Sequence, residues 1–255
     1  MHGNLARNQM LLASLTFGLR DLQQVDIAIC VPFPYLGQAQ MLLSGTNIAW
    51  GAQNVSQFAE GAFTGSISAE MVADFQCRFA IIGHSERRAL SHESYQSAAN
   101  RFLQTLHAGV TPVFCVGETA AERDAGLAKS VVGRQMQTLL DSLGADNLAL
   151  AAGLGAVFAY EPVWAIGTGK HASPAEAQEM HAFIRHLLAE HAPEFAAAAR
   201  ILYGGSVNAG NAAGIFAMPD IDGGLVGRSS LDADGFRQIC QAAQQRMRAS
   251  AALSV

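Results

Sequence analysis

Short apolar runs recur along the chain: DIAICVPF (26–33), TNIAWGAQNV (46–55), FAIIGHS (79–85), TPVFCVGE (111–118), AVFAYEPV (156–163), RILYGGS (200–206) and DGGLVGRS (222–229). Each is near-continuously hydrophobic where a half-exposed strand would alternate, and strands covered on both faces belong to parallel sheets. Stretches with helical spacing fill the intervals, at 4–20, about 35–44, 68–76, 92–107, 119–142, 174–191, 208–216 and 231–248. One helix start is explicit, with Ser173 as N-cap, Pro174 at the first helical position and Glu176 closing a capping box. No Pro- or Ser-rich linker interrupts the alternation, and 255 residues is the length of one (β/α)8 barrel, so a single domain over 1–255 is expected. An open doubly wound sheet is the competing architecture. The pattern begins with a helix, so closing an eight-stranded barrel would take one more strand ahead of residue 1.

Half of the residues are hydrophobic and 15% are charged, which suits a sizeable buried core and excludes global disorder. A net charge of −5 without a dense basic patch argues against a nucleic-acid partner but leaves small anions open. No apolar run approaches about 18 residues, and the opening MHGNLARNQM lacks the apolar centre of a secretory signal. A cytoplasmic protein without a membrane partner is therefore expected. Cys30, Cys77, Cys115 and Cys240 are far apart with no Cys-x-x-Cys, and read as buried free thiols. His181, His186 and His191 fall five residues apart, a spacing that does not keep them on one helical face, no His-Glu-x-x-His occurs, and no metal site is expected.

In a parallel α/β barrel the active face lies at the C-terminal ends of the strands. The polar oddities of this sequence fall there: His84, Glu118, Glu161, YGGS (203–206) and VGRSS (226–230). Glu161 closes an apolar run just before Pro162, where burial could raise a carboxyl group toward the range of a general base. A strand-end carboxylate held in an ion pair is the alternative reading. Next comes PVWAIGTGK, an apolar centre between a proline and glycine hinges, which suits a lid that expels water. His84 precedes a helix start, whose partial positive charge disfavours an imidazolium and leaves a neutral ring able to donate to a carbonyl; a structural histidine is the alternative. The glycines of YGGSV and LVGRSS lead into helical segments, so their backbone N–H groups can cradle a phosphate.

With GAQNVSQFAEGAFTG, IIGHSERR, CVGET, AYEPVWAIGTGK, YGGSV and GGLVGRSSL in this order, the chain closely resembles the triosephosphate isomerase family over residues 1–248. The resemblance implies a (β/α)8 barrel that interconverts dihydroxyacetone phosphate and D-glyceraldehyde 3-phosphate, in glycolysis and gluconeogenesis. It implies Glu161 as the base that moves a proton between adjacent carbons and neutral His84 as the electrophile, roles that are the family's own assignment. Gly167, Ser206, Gly227 and Arg228 would hold the phosphate, and no cofactor is implied. It also implies a homodimer in which the loop EGAFTG (60–65), with Thr64 at its tip, reaches the neighbouring subunit, supported by Ser85, Glu86 and Arg87 beside the catalytic histidine.

Two features depart from the family's pattern. Arg228 stands where a second glycine is usual, and can serve through its backbone N–H provided its φ is negative. The family's first strand ends in Asn-x-Lys, whose lysine is a catalytic cation. Here neither Lys129 nor Lys170 occupies a comparable place. Without that strand and lysine, poor solubility or near-inactivity is expected of the 255 residues by themselves. A start upstream of Met1, legible in the preceding in-frame codons, is one explanation, and a paralogue that binds phosphate without catalysis is the other.

Overall fold

The structure, a computed structural model, describes residues 1–166 and 172–253. Its elements run α1 (Leu5–Leu19), β1 (Ile27–Val31), α2 (Leu36–Leu43), β2 (Ile48–Ala52), α3 (Ala69–Asp74), β3 (Phe79–Ile82), α4 (Ser85–Leu90), α5 (Tyr95–His107) and β4 (Thr111–Val116). They continue with α6 (Ala120–Asp124), α7 (Ala128–Gly153), β5 (Val157–Tyr160), α8 (Pro174–His191), α9 (Pro193–Ala198), β6 (Arg200–Tyr203), α10 (Ala212–Phe216), β7 (Gly223–Gly224) and α11 (Ala233–Leu253). The strands form one sheet in the order β1-β2-β3-β4-β5-β6-β7, and every pairing is parallel. Among the described residues β1 pairs only with β2 and β7 only with β6.

Alternate residues along the strands separate two layers. Phe79, Val113, Cys115, Val157 and Ala159 form an inner cluster, joined by Ala28, Cys30, Ala49, Ile81, Leu202 and Leu225. Side chains from successive strands meet in one place only if the sheet curves around them, which is the barrel geometry. Arg200 at the start of β6 also reaches Asp26, just ahead of β1, at 2.6 Å. The opposite faces of the strands supply Ala80, Ile82, Phe114, Val116, Phe158, Tyr160, Ile201 and Tyr203 to the larger core under the helices. Burial on both faces is what the continuous apolar runs predict, and β4 and β5, in mid-sheet, are buried at every position. The chain therefore has the α/β barrel architecture, with seven parallel strands among the described residues.

The differences from the sequence reading have local causes. Each predicted strand runs past its true end, because the last residues of each run belong to the polar turns beyond the sheet. The seventh shrinks to Gly223–Gly224, which has a single neighbour. The pattern at 119–142 divides into α6 and α7 at Gly126, whose φ of 72° ends the first helix, and α7 itself breaks at Gly144 (φ 61°, ψ 175°). Helix α9 was not expected; Pro193 occupies its first turn, where proline's missing N–H costs nothing. The capping box at Ser173 and Glu176 forms as read. Cys77, Cys115 and Cys240 are buried and Cys30 partly so, all as free thiols; burial pushes Cys77 up to about 11 and Cys240 up to about 12. Among the described residues no helix is long and apolar enough to cross a membrane.

Candidate active site

Glu161 follows β5 directly and its side chain has no exposed surface. Two glycines shape the space around it. A Cβ on Gly117 would lie 1.8 Å from the Glu161 carbonyl oxygen, and one on Gly204 would lie 2.9 Å from Glu161 Cγ, so only a bare backbone fits on either side. Gln135, reaching in from α7, fixes Gly117 at two points: Gly117 N–H donates to Gln135 Oε1 (2.8 Å) and Gln135 Nε2 donates to the Gly117 carbonyl (3.0 Å).

The carboxylate itself is met from β3 and α4. His84 Nε2 stands 2.9 Å from Glu161 Oε1, Ser85 N–H donates to Oε2 at 2.8 Å, and Ser85 Oγ donates to Oε1 at 3.2 Å. Among the described residues no arginine or lysine forms an ion pair with it. His84 is the N-cap of α4, and its Nδ1 accepts the Glu86 backbone N–H at 3.3 Å. A nitrogen that accepts cannot also carry a proton, so the ring's hydrogen lies on Nε2, facing Glu161. Burial works to lower the His84 pKa, but the hydrogen bond and charge of Glu161, aided by Glu86, outweigh it and hold the group above its ordinary value. The Glu161 contact therefore extends the imidazolium to higher pH, and above that range the neutral ring carries its hydrogen on Nε2 while Nδ1 accepts from Glu86.

Arg88 ties this region together by donating to the carbonyls of Gly83, Cys115 (3.0 Å) and Gly117 (3.4 Å) at the ends of β3 and β4. Arg87 turns away to Glu93, 2.6 Å from Nε, and Glu86 projects outward with its carboxylate 4.0 Å from His84 Nδ1. Ser85, expected as a supporting residue for the subunit contact, is buried and directed at Glu161 instead of the surface.

The loops after β6 and β7 lie close by. Ser206 Oγ donates to the Ala165 carbonyl at 2.9 Å, joining the loop after β6 to the turn that follows Glu161. Backbone N–H groups of Ser206, Gly227 and Arg228 donate to no group among the described residues, which leaves them available to an anion. Arg228 begins the short turn Arg228–Leu231, is exposed, and is not among the residues with positive φ, so the condition for its backbone to serve is met. Gly167 lies outside the described residues, as do the other glycine of the expected lid and Lys170. Thr64 is exposed at the tip of a loop whose Phe58 and Phe63 rings stack at 4.0 Å, and within this chain it is not brought to Glu161.

Several members of the site were not legible in the sequence. Arg123, Gln135 and Arg88 come from helices, where a polar residue normally marks the solvent side. Tyr160 and Tyr203 look like ordinary strand residues, yet the Tyr160 hydroxyl donates to Glu118 at 3.0 Å and Tyr203 accepts the Ala172 N–H at 3.3 Å.

The sequence model of a family described as Triosephosphate isomerase matches residues 1–243. The chain is 50% identical over 244 residues to the triosephosphate isomerase of Nitrosomonas eutropha, covering 96% of this chain and 95% of the relative. It is 53% identical over 243 residues to that of Thiobacillus denitrificans, with 95% of each chain covered. For the Bordetella pertussis relative the identity is 50% over 242 residues, with 95% of this chain and 94% of the relative covered.

Proposed function

The chain belongs to the triosephosphate isomerase family, and from that premise we propose that it interconverts dihydroxyacetone phosphate and D-glyceraldehyde 3-phosphate by proton transfer. The observation that carries the reading is the buried Glu161 carboxylate, in contact with the Nε2–H of His84 and unmatched by any arginine or lysine among the described residues. Held by a hydroxyl, a backbone N–H and an imidazole, it can leave those donors and take a proton from the carbon beside a carbonyl. His84 Nε2–H then donates to the substrate's carbonyl oxygen and stabilises the enediolate. As Glu161 turns toward substrate, the influence that favours an imidazolium goes with it, and the neutral ring fixed by the Glu86 N–H remains. His84 next moves the proton between the two oxygens, and Glu161 returns its own to the neighbouring carbon. No cofactor takes part.

The phosphate is assigned to the backbone N–H groups of Ser206, Gly227 and Arg228, with Gly167 joining them from the segment expected to cover the site. Replacing Arg228 by glycine tests its part: an unchanged KM means that its side chain makes no direct contribution. We assign the reaction to glycolysis and gluconeogenesis in the cytoplasm, and the assembly to a homodimer. The exposed stack of Phe58 and Phe63, 43% and 40% accessible, supports a subunit contact at the loop carrying Thr64. Sedimentation of the protein checks the dimer, and a monomer at micromolar concentration refutes it.

The decisive experiment is an isomerase assay in both directions on the protein and on H84Q. Activity that falls by about 10² in kcat in the variant is expected. A parent protein that binds triose phosphate without turnover would instead favour the non-catalytic alternative.

A further inference from the structure

Glu118 follows β4, is as deeply buried as Glu161, and takes no part in the proton transfer proposed above. Its Oε1 accepts from the Arg123 guanidinium, the Tyr160 hydroxyl and the Trp164 indole N–H, each at 3.0 Å, while Oε2 is buried and has no partner among the described residues. A carboxylate this deep requires a counter-charge, and Arg123 provides one. If Arg123 did nothing more, its role would end there.

The same guanidinium makes two further contacts. It lies over the Trp164 ring, 4.8 Å from the centroid, and its other terminal nitrogen donates to Glu176 Oε1 at 3.2 Å. Glu176 is itself committed: its Oε2 accepts from Ser173 N–H and Oγ in the capping box that starts α8. One planar group therefore touches a strand-end carboxylate, the side chain in the turn after Glu161, and the first turn of α8.

We infer that Arg123 is a positioning residue for the proton-transfer site, holding the turn Val163–Ala165, and with it the backbone that carries Glu161, against the first turn of α8. The inference rests on the reading of Glu161 as the base. Glu161 must leave Ser85 to reach a substrate carbon, and the contacts at Trp164 set the resting place of the backbone from which it departs. Displacement of a reacting group by about 1 Å can cost up to about 10² in rate, so a small slackening of this turn would be felt in turnover. Arginine suits the task because its rigid fork serves two carboxylates while its face stacks on an indole. The ammonium of lysine can neutralise Glu118 but cannot keep all three contacts.

Two variants separate positioning from simple neutralisation. R123K keeps the charge beside Glu118 and loses the fork. E176Q keeps the capping box, in which glutamine serves as well as glutamate, and loses only the charge-assisted bond to Arg123. Both are compared with the parent protein in a W50F background, so that emission reports Trp164 alone. The expected result is a fall in kcat of roughly tenfold for R123K and about threefold for E176Q, with KM within about twofold and Trp164 emission shifted. Unchanged kcat in both variants overturns the inference, as does a fall in kcat with unchanged emission, because the effect would then not run through Trp164. E176Q leaves Glu118 paired and carries the test if R123K does not fold. A parent protein without isomerase activity defeats the reading of Glu161 separately. The emission of E176Q then decides whether Arg123 holds the turn, a shift supporting it and no shift overturning it.

Discussion

Two carboxylates close neighbouring strands of the same sheet, and both are fully buried, but their surroundings differ in kind. Glu118, after β4, is held by a guanidinium, a phenol and an indole. Glu161, after β5, is held by an imidazole, a hydroxyl and one backbone N–H. A permanent cation fixes the first in place. The second has partners that it can exchange for a substrate, so burial alone does not suit a carboxylate to act as a base; on the proposed reading, the lack of a fixed counter-charge among the described residues does.

The sharpest way to break this contrast is to neutralise each carboxylate in turn. E161Q is expected to lose about 10³ in kcat and E118Q no more than about tenfold, measured by steady-state kinetics; equal losses would erase the distinction. Stability should run the other way. E118Q leaves Arg123 facing a neutral acceptor and is expected to lose about 1–3 kcal/mol in urea unfolding, whereas E161Q, relieved of a buried charge without a fixed cation, should match or exceed the parent. A smaller effect is expected from S85A, which removes one resting contact of Glu161 but spares the backbone N–H: kcat within about fivefold of the parent, with E161Q unaffected by the added change. The smallest is a pH effect. His84 is held above its ordinary 6.5 because the Glu161 contact outweighs burial, so its stabilisation is complete below about pH 6.5 and fades as pH rises through the folded-state value. The difference in melting temperature between the parent and H84Q should therefore shrink from pH 6 toward about pH 8, and growth over that interval would contradict it.

The same contrast marks what sequence could and could not reveal. Strands β3 to β6 were legible because burial on both faces leaves a continuous apolar run, and Glu161 and His84 stood out as polar residues ending such runs. The partners of Glu118 left no comparable signal. Arg123 lies on a short helix where a charge is unremarkable, and Tyr160 fits an apolar strand as readily as phenylalanine would. Their meeting depends on strand register and on how the turn after β4 sets α6 beside Glu118 and Trp164, neither of which is written in local periodicity. The contact of Ser85 with Glu161 was hidden for a related reason. It is the first residue of α4, and only the fold decides whether that position faces a neighbouring subunit or Glu161.

The bare backbones at Gly117 and Gly204 have a practical consequence for anyone altering this protein in the laboratory. A saturation library at either position should return almost nothing but the starting residue, since even a methyl group would collide with Glu161. Attempts to adjust the reach of Glu161 should instead begin one layer out, at Gln135, whose two hydrogen bonds set where Gly117 lies.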